Sequence, residues 1–84
     1  MKKQAIVCVD DEVIILLSLI QELKHAFGSN YLYEQATDAD SALEIIEELE
    51  QEDVEVIFII SDWLMPGMTG DEFLKVVNEK YPHI

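Results

Sequence analysis

The apolar run from Val56 to Ile60, VIFII, constrains the fold of this chain more than any other feature. It holds no polar residue, so it lacks the alternation that is typical of a strand with one face in water. A continuous β-branched and aromatic run of this length instead indicates a parallel strand that is covered on both faces. Because helices provide that cover, the rest of the chain must supply both further strands and helices.

Two more strands and three helices can be predicted from the periodicity of apolar residues. Residues 5–9 form a short apolar run that predicts a buried strand, and residues 31–36 (YLYEQA) predict a less buried one. Apolar residues at helical spacing predict helices over residues 13–27, 42–49 and 71–80. The resulting order, βαβαβα, predicts a single α/β domain with a parallel sheet and right-handed crossovers.

Composition excludes several functional classes. The net charge is −13, from 18 acidic and five basic side chains, which disfavours binding to nucleic-acid phosphates. Divalent cations and basic protein surfaces are the better candidates for partners. No apolar run approaches the roughly 20 residues that span a bilayer, and the N-terminus lacks a signal-peptide pattern. The single cysteine, Cys8, cannot form an internal disulfide, so we expect a small buried thiol in a reduced, cytoplasmic protein.

Acidic side chains follow two of the three predicted strands. Asp10 and Asp11 come directly after the first strand, and Asp62 follows the third. Functional groups in an open parallel sheet gather beyond the carboxyl ends of the strands. If the two strands are neighbours, the three carboxylates converge, and their mutual repulsion is relieved by a shared cation. Mg²⁺ prefers such oxygen ligands, and a carboxylate beside it can act as a nucleophile toward phosphorus.

The motif pair IVCVDDE and IISDWLMPGMTGDEFL resembles the receiver domain of bacterial two-component response regulators. The resemblance covers the whole chain and implies a three-layer flavodoxin-like fold with strand order 2-1-3-4-5. Because the chain ends after the third helix, residues 1–84 are interpreted as the N-terminal part of a receiver domain. This part has strand order 2-1-3 and lacks strands 4 and 5 and helices 4 and 5.

The resemblance also implies roles for individual residues. Asp62 would accept a phosphoryl group from a histidine kinase. Asp11 would bind Mg²⁺ directly, Asp10 would act mostly through water, and the backbone carbonyl of Leu64 would be a further ligand. The Ser or Thr and the Lys that contact the phosphoryl group from later strands of the family have no counterpart here, and Thr69 is misplaced for the first of these.

The function expected from these features is that of a phosphoacceptor module rather than an enzyme, with at most self-phosphorylation and self-dephosphorylation. Its partners would be a histidine kinase or phosphotransfer protein and an output that the sequence does not identify. Truncation would impair switching. One alternative is an interaction or dimerisation module that is not phosphorylated. Another is a Mg²⁺-dependent phosphohydrolase of the haloacid dehalogenase kind, although that family has DxDx(T/V) where this chain has VDDEV.

Strand order 2-1-3 places the run from Val56 to Ile60 at an edge of the sheet. A flat apolar edge strand can pair with another chain. We therefore expect a homodimer or larger oligomer, joined through this edge or through exposed helix faces. Residues 44–55 hold seven acids, which indicate a solvated helix face or a docking surface for a basic partner.

Overall fold

The computed structural model of the chain describes residues 2–61 and 68–84. Strands and helices alternate in the predicted order, and their bounds lie within about three residues of those predicted. The elements are β1 (Gln4–Val9), α1 (Val13–Phe27), β2 (Leu32–Ala36), α2 (Ala39–Gln51), β3 (Glu55–Ser61) and α3 (Gly70–Lys80). Of the predicted site residues, Asp62 and Leu64 lie outside the described residues.

The three strands form one parallel sheet in the order β2-β1-β3. This arrangement confirms the predicted α/β class and the flavodoxin-like strand order 2-1-3. Strand β1 lies in the centre, and its last residue, Val9, is aligned with Ala36 of β2 and with Ser61 of β3. A register shift beside Ala5 and Ile6 of β1 leaves Ile57 as an extra residue in β3.

Alternate residues of β1 supply the two hydrophobic cores, one on each face of the sheet. Ile6 and Cys8 pack with Leu16 and Ile20 of α1. Ala5, Val7 and Val9 face the opposite side, where they pack with residues of α2, β3 and α3. The main buried residues of that second core are Ala42, Ile46, Leu49, Val56, Phe73 and Val77. Central strand β1 is therefore covered on both faces, as a parallel strand requires.

Strand β3 is less covered than its composition indicates. In the described part of the chain it pairs with β1 alone, and of its residues only Val56 is buried. Phe58 is 55% exposed and Ile60 is 36% exposed. The apolar run thus lies at a sheet edge, as the strand order predicts.

Local side-chain contacts define the ends of the helices. Asp38 precedes α2 and accepts a hydrogen bond from the backbone N–H of Ser41 at 2.7 Å, and Thr69 caps α3 by accepting from Glu72 at 3.2 Å. Helix α1 ends at Gly28, whose φ of 85° is a conformation that glycine adopts without strain. Among residues 2–61 and 68–84, no helix is long and apolar enough to cross a membrane.

Candidate functional site

The carboxyl ends of the three parallel strands form one edge of the sheet, where the predicted site lies. Val9 is the last residue of β1 and Ser61 is the last residue of β3, and the two are aligned across the ladder. Asp10 follows the first of these in the sequence, and Asp62 follows the second. The condition that the sequence left open, that the first and third strands are neighbours, is therefore met.

Asp10 is fixed by two hydrogen bonds at this edge. Its backbone N–H donates to the carbonyl of Ala36 at 3.1 Å, which ties the end of β1 to the end of β2. Its carboxylate oxygen Oδ1 accepts from the backbone N–H of Glu12 at 2.9 Å, immediately before α1 begins. One carboxylate oxygen thus organises the turn into α1. The role of Asp10 in metal binding, exerted mostly through water, stays a prediction.

Asp11 differs from its neighbour in exposure. Its side chain is exposed, whereas Asp10 is partly buried. Mg²⁺ keeps several waters when it binds to proteins, and an exposed carboxylate accommodates such a hydrated ion. The predicted division of roles, with Asp11 as the direct ligand, stays a prediction.

The described residues include two of the four predicted Mg²⁺ ligands. Within residues 2–61 and 68–84, no group of three His, Cys, Asp or Glu side chains is placed to hold a metal ion. The described residues contribute a carboxylate pair, Asp10 and Asp11, which are hard oxygen donors of the type that Mg²⁺ prefers. The other two predicted ligands, Asp62 and the carbonyl of Leu64, lie outside the described residues. The complete set consists of oxygen donors, so its chemistry fits Mg²⁺, and the assignment stays a prediction.

Other polar residues have structural positions. Thr69 caps α3, and Lys75 and Lys80 lie exposed on that helix. Cys8 is buried in the core beside α1, and burial raises the pKa of its thiol, so the reactive thiolate is disfavoured. This position confirms the expectation of a small buried thiol.

The contact between His83 and Glu50 was not predicted from the sequence. His83 Nε2 lies 2.8 Å from Glu50 Oε1 and joins the turn after α3 to the last turn of α2. Neither residue belongs to a sequence motif, and they are far apart along the chain. Only the packing of α3 against α2 brings them together, so no sequence signal could have identified the pair.

The acidic segment, residues 44–55, begins on the outer face of α2 and continues past its end at Gln51. Glu44, Glu47 and Glu48 are exposed, while the nearby Ile46 and Leu49 are buried. This amphipathic pattern is that of a solvated helix face, one of the two interpretations of the segment. A basic partner for the same face stays a prediction.

Two solved structures are similar to this chain. An uncharacterized protein from Neptuniibacter caesariensis has a TM-score of 0.80 and 33% sequence identity, over 100% of this chain and 57% of that one. A two-component transcriptional regulator AraC from Clostridium phytofermentans ISDg has a TM-score of 0.79 and 26% identity, over 95% of this chain and 60% of that one. No protein-family model and no curated protein matches the chain.

These similarities are consistent with a receiver-like fold. One of the two similar structures is a two-component regulator, which agrees with a regulatory rather than a catalytic domain. The chain spans less than two thirds of the length of either structure. What those longer proteins do as a whole is therefore a matter of proposal for this chain.

Proposed function

We propose that this chain is a phosphoacceptor receiver module of a two-component response regulator, with Asp62 as the acceptor. The observation that carries the proposal is the alignment of Val9 with Ser61, because these residues immediately precede Asp10 and Asp62 in the sequence. The receiver-like fold and the similarity to a two-component transcriptional regulator support it.

The chemistry assigned to Asp62 is a phosphoryl transfer. A carboxylate oxygen of Asp62 attacks the phosphorus of a phosphohistidine, an O–P bond forms, and the N–P bond breaks with imidazole as the leaving group. The product is an acyl phosphate that water can later hydrolyse. The donor is a histidine kinase or a phosphotransfer protein in the cytoplasm, and the recipient of the signal is an output domain or a downstream protein.

The carboxylate pair would hold the cation that this transfer needs. Bound Mg²⁺ supplies charge neutralisation at the phosphoryl oxygens. Asp11 would bind the ion directly, Asp10 would orient a bound water, and the carbonyl of Leu64 would complete the protein ligands. The hydrogen bond from Glu12 to Asp10 supports this arrangement, since it holds one carboxylate oxygen in place before any ion binds.

A non-phosphorylated interaction module is the second candidate. The exposed Phe58 and Ile60 on edge strand β3 favour it, because such an edge can recruit another chain without any phosphoryl chemistry. A Mg²⁺-dependent phosphohydrolase is the third candidate and would require turnover of a phosphorylated substrate. The three candidates differ in what happens when the protein meets a phosphodonor.

The test is incubation with a small phosphodonor, such as acetyl phosphate, with and without Mg²⁺, followed by intact-mass spectrometry. A receiver gains the mass of one phosphoryl group, the adduct is stable in acid and labile in base, and Asp62→Asn abolishes it. Asp71→Asn, which changes an exposed carboxylate of α3, is the matched control and keeps the adduct. Phosphate release that persists in Asp62→Asn would indicate the hydrolase, because a receiver releases phosphate only from phosphorylated Asp62. The absence of any adduct both with and without Mg²⁺ would indicate the interaction module.

A further inference from the structure

Three of the five lysines of this chain lie at the amino end of the sheet, the end opposite to the predicted phosphoacceptor site. Lys2 and Lys3 precede β1, and Lys24 lies in the last turn of α1, which leads into β2. Across the whole chain, acids outnumber bases 18 to five. The group of three lysines is therefore a local reversal of the charge of the molecule.

Two grooves lie between these lysines, and the side chain of Tyr31 lines both. One groove, of about 530 Å³, is lined by Lys2, Lys3, Gln4, Asn30 and Tyr31. The other, of about 390 Å³, is lined by Lys24, Ser29, Tyr31, Leu32 and Tyr33. Within the described part of the chain, no aspartate or glutamate lines either groove. Both volumes are in the range of small-molecule sites, which commonly combine aromatic walls with a few polar groups.

Two of the three lysines are available to an anion. Lys2 Nζ lies 3.2 Å from Asp53 Oδ1, so this lysine already has a carboxylate partner. Among residues 2–61 and 68–84, Lys3 and Lys24 form no ion pair. Lys24 Nζ instead lies 5.8 Å from the centroid of the Tyr33 ring, a cation–π contact that positions its ammonium group at the groove.

The two tyrosines of the grooves differ in what they offer to a ligand. The hydroxyl of Tyr33 donates to the carbonyl of Gly28 at 2.6 Å, which commits it to the connection between α1 and β2. Tyr31 is half-buried, and its ring meets that of Phe27 edge to face, with the ring centroids 6.5 Å apart. This contact holds the Tyr31 ring in place where the two grooves join. Aromatic side chains at such positions stack with nucleobases of any identity.

We propose that these two grooves together form one site for a nucleoside monophosphate. The base stacks on Tyr31, and the amide groups of Gln4 and Asn30 face its edge. The phosphate accepts hydrogen bonds from the Lys24 ammonium group and the Ser29 hydroxyl. Lysine binds phosphate as a point charge, so it requires no bidentate geometry. The site is separate from Asp62 and does not depend on phosphoryl transfer to that residue.

The net charge of −13 opposes the binding of any anion and limits the affinity of this site. At an ionic strength of about 0.15 M, however, the Debye length is about 8 Å, and exposed charges farther away than this are largely screened. Lys3 and Lys24 line the grooves and act on the phosphate at closer range. We expect a dissociation constant of about 1 mM at this ionic strength, and weaker binding at about 1 M salt, where the Debye length is about 3 Å.

The experiment is a titration of the ¹⁵N-labelled chain with AMP, followed by amide chemical shifts in NMR spectra. Mg²⁺ is omitted, so that a metal–nucleotide complex cannot form at the carboxylate pair. The expected shifts are confined to residues 2–4 and 29–33 and to Lys24. Adenosine, which lacks the phosphate, and inorganic phosphate, which lacks the base, each bind at least about tenfold more weakly than AMP.

Three variants separate the two parts of the site, and the same spectra show whether each variant is folded. Lys24→Gln lowers the affinity for AMP about tenfold, as expected for loss of one charge-assisted hydrogen bond. Tyr31→Leu removes the stacking surface, so AMP then binds no better than inorganic phosphate. Lys75→Gln, which removes the same charge from the exposed surface of α3, is the matched control and leaves the affinity unchanged.

Three outcomes would overturn the proposal. The first is the absence of amide shifts at AMP concentrations up to about 10 mM. The second is an equal loss of affinity in Lys24→Gln and Lys75→Gln, which would indicate a general effect of charge rather than a local site. The third is binding of inorganic phosphate as tight as that of AMP in the wild-type chain, which would show that the base makes no contact.

Discussion

Val9 and Ser61 are aligned in neighbouring parallel strands, although α1, β2 and α2 separate them along the chain. This alignment brings the carboxyl ends of β1 and β3 together. The Asp10-Asp11 pair and Asp62 therefore follow, in the sequence, two strands that end side by side. Strand adjacency, rather than spacing along the sequence, is what makes a shared cation site possible.

Single replacements of Asp10 and Asp11 should weaken Mg²⁺ binding to different extents. Asp10→Asn should lower the affinity about tenfold, the scale expected for a residue that acts through other ligands, and Asp11→Asn should lower it further. Trp63, next to Asp62 in the sequence, offers a fluorescence signal for the titration. Glu44→Gln on the exposed face of α2 is the control, and an equal loss in this variant would refute a local site.

Phe73 should be the most sensitive position of α3. Its side chain is 0% exposed, whereas the adjacent Leu74 is 41% exposed. Phe73→Ala should lower the free energy of unfolding by about 3–5 kcal/mol, because it removes buried apolar contacts and leaves a cavity. Leu74→Ala should cost about 1 kcal/mol or less, since most surface substitutions have small effects. Urea denaturation measures both, and similar losses would contradict the placement of α3 on the sheet.

The Asp38 cap should contribute to the stability of α2. Its carboxylate accepts hydrogen bonds from the backbone N–H of Ser41 at 2.7 Å and from the Ser41 hydroxyl at 3.2 Å. Asp38→Ala should cost about 1 kcal/mol, while Asp38→Asn, which retains an acceptor, should cost a few tenths. Thermal denaturation compares the two, and an equal loss in both would indicate that charge rather than capping is responsible.

Stability should fall at alkaline pH, in part through Cys8. Burial raises the pKa of this thiol above its ordinary value of 9.0, so the unfolded chain loses the proton at a lower pH than the folded chain. The contribution is intact below pH 9.0 and is lost as pH rises toward the folded pKa. The free energy of unfolding of Cys8→Ala, measured by urea denaturation, should therefore decline less above that pH than that of the wild type, whatever the stability of the variant at neutral pH. An identical pH slope would argue against burial of the thiol.

The fold was largely predictable because each element has its own signal in the sequence. Helical spacing identified α1, and the unbroken apolar run identified β3 as a parallel strand. The exposure of Phe58 and Ile60 follows from the position of β3 in the strand order. The motif resemblance predicts that order, whereas composition alone does not. The extra residue at Ile57 had no signal, because a bulge depends on the register between two strands that are distant in sequence.

The candidate site was predictable in part. Asp10 and Asp11 could be assigned to the sheet edge because they follow a buried strand. The two hydrogen bonds of Asp10 could not be predicted, since one of them depends on where β2 ends beside β1. The role assigned to Leu64 depends on the motif resemblance, whereas that of Asp62 is also supported by the alignment of Val9 with Ser61.

The central claim, that Asp62 is the phosphoacceptor, is tested most directly by locating the phosphoryl group. Reduction of an acyl phosphate with borohydride converts the modified aspartate into homoserine, which peptide sequencing by mass spectrometry can place. After incubation with acetyl phosphate and Mg²⁺, we expect homoserine at position 62 and unmodified Asp10 and Asp11. Homoserine at position 10 or 11, or its absence from every position, would show that Asp62 is not the phosphoacceptor.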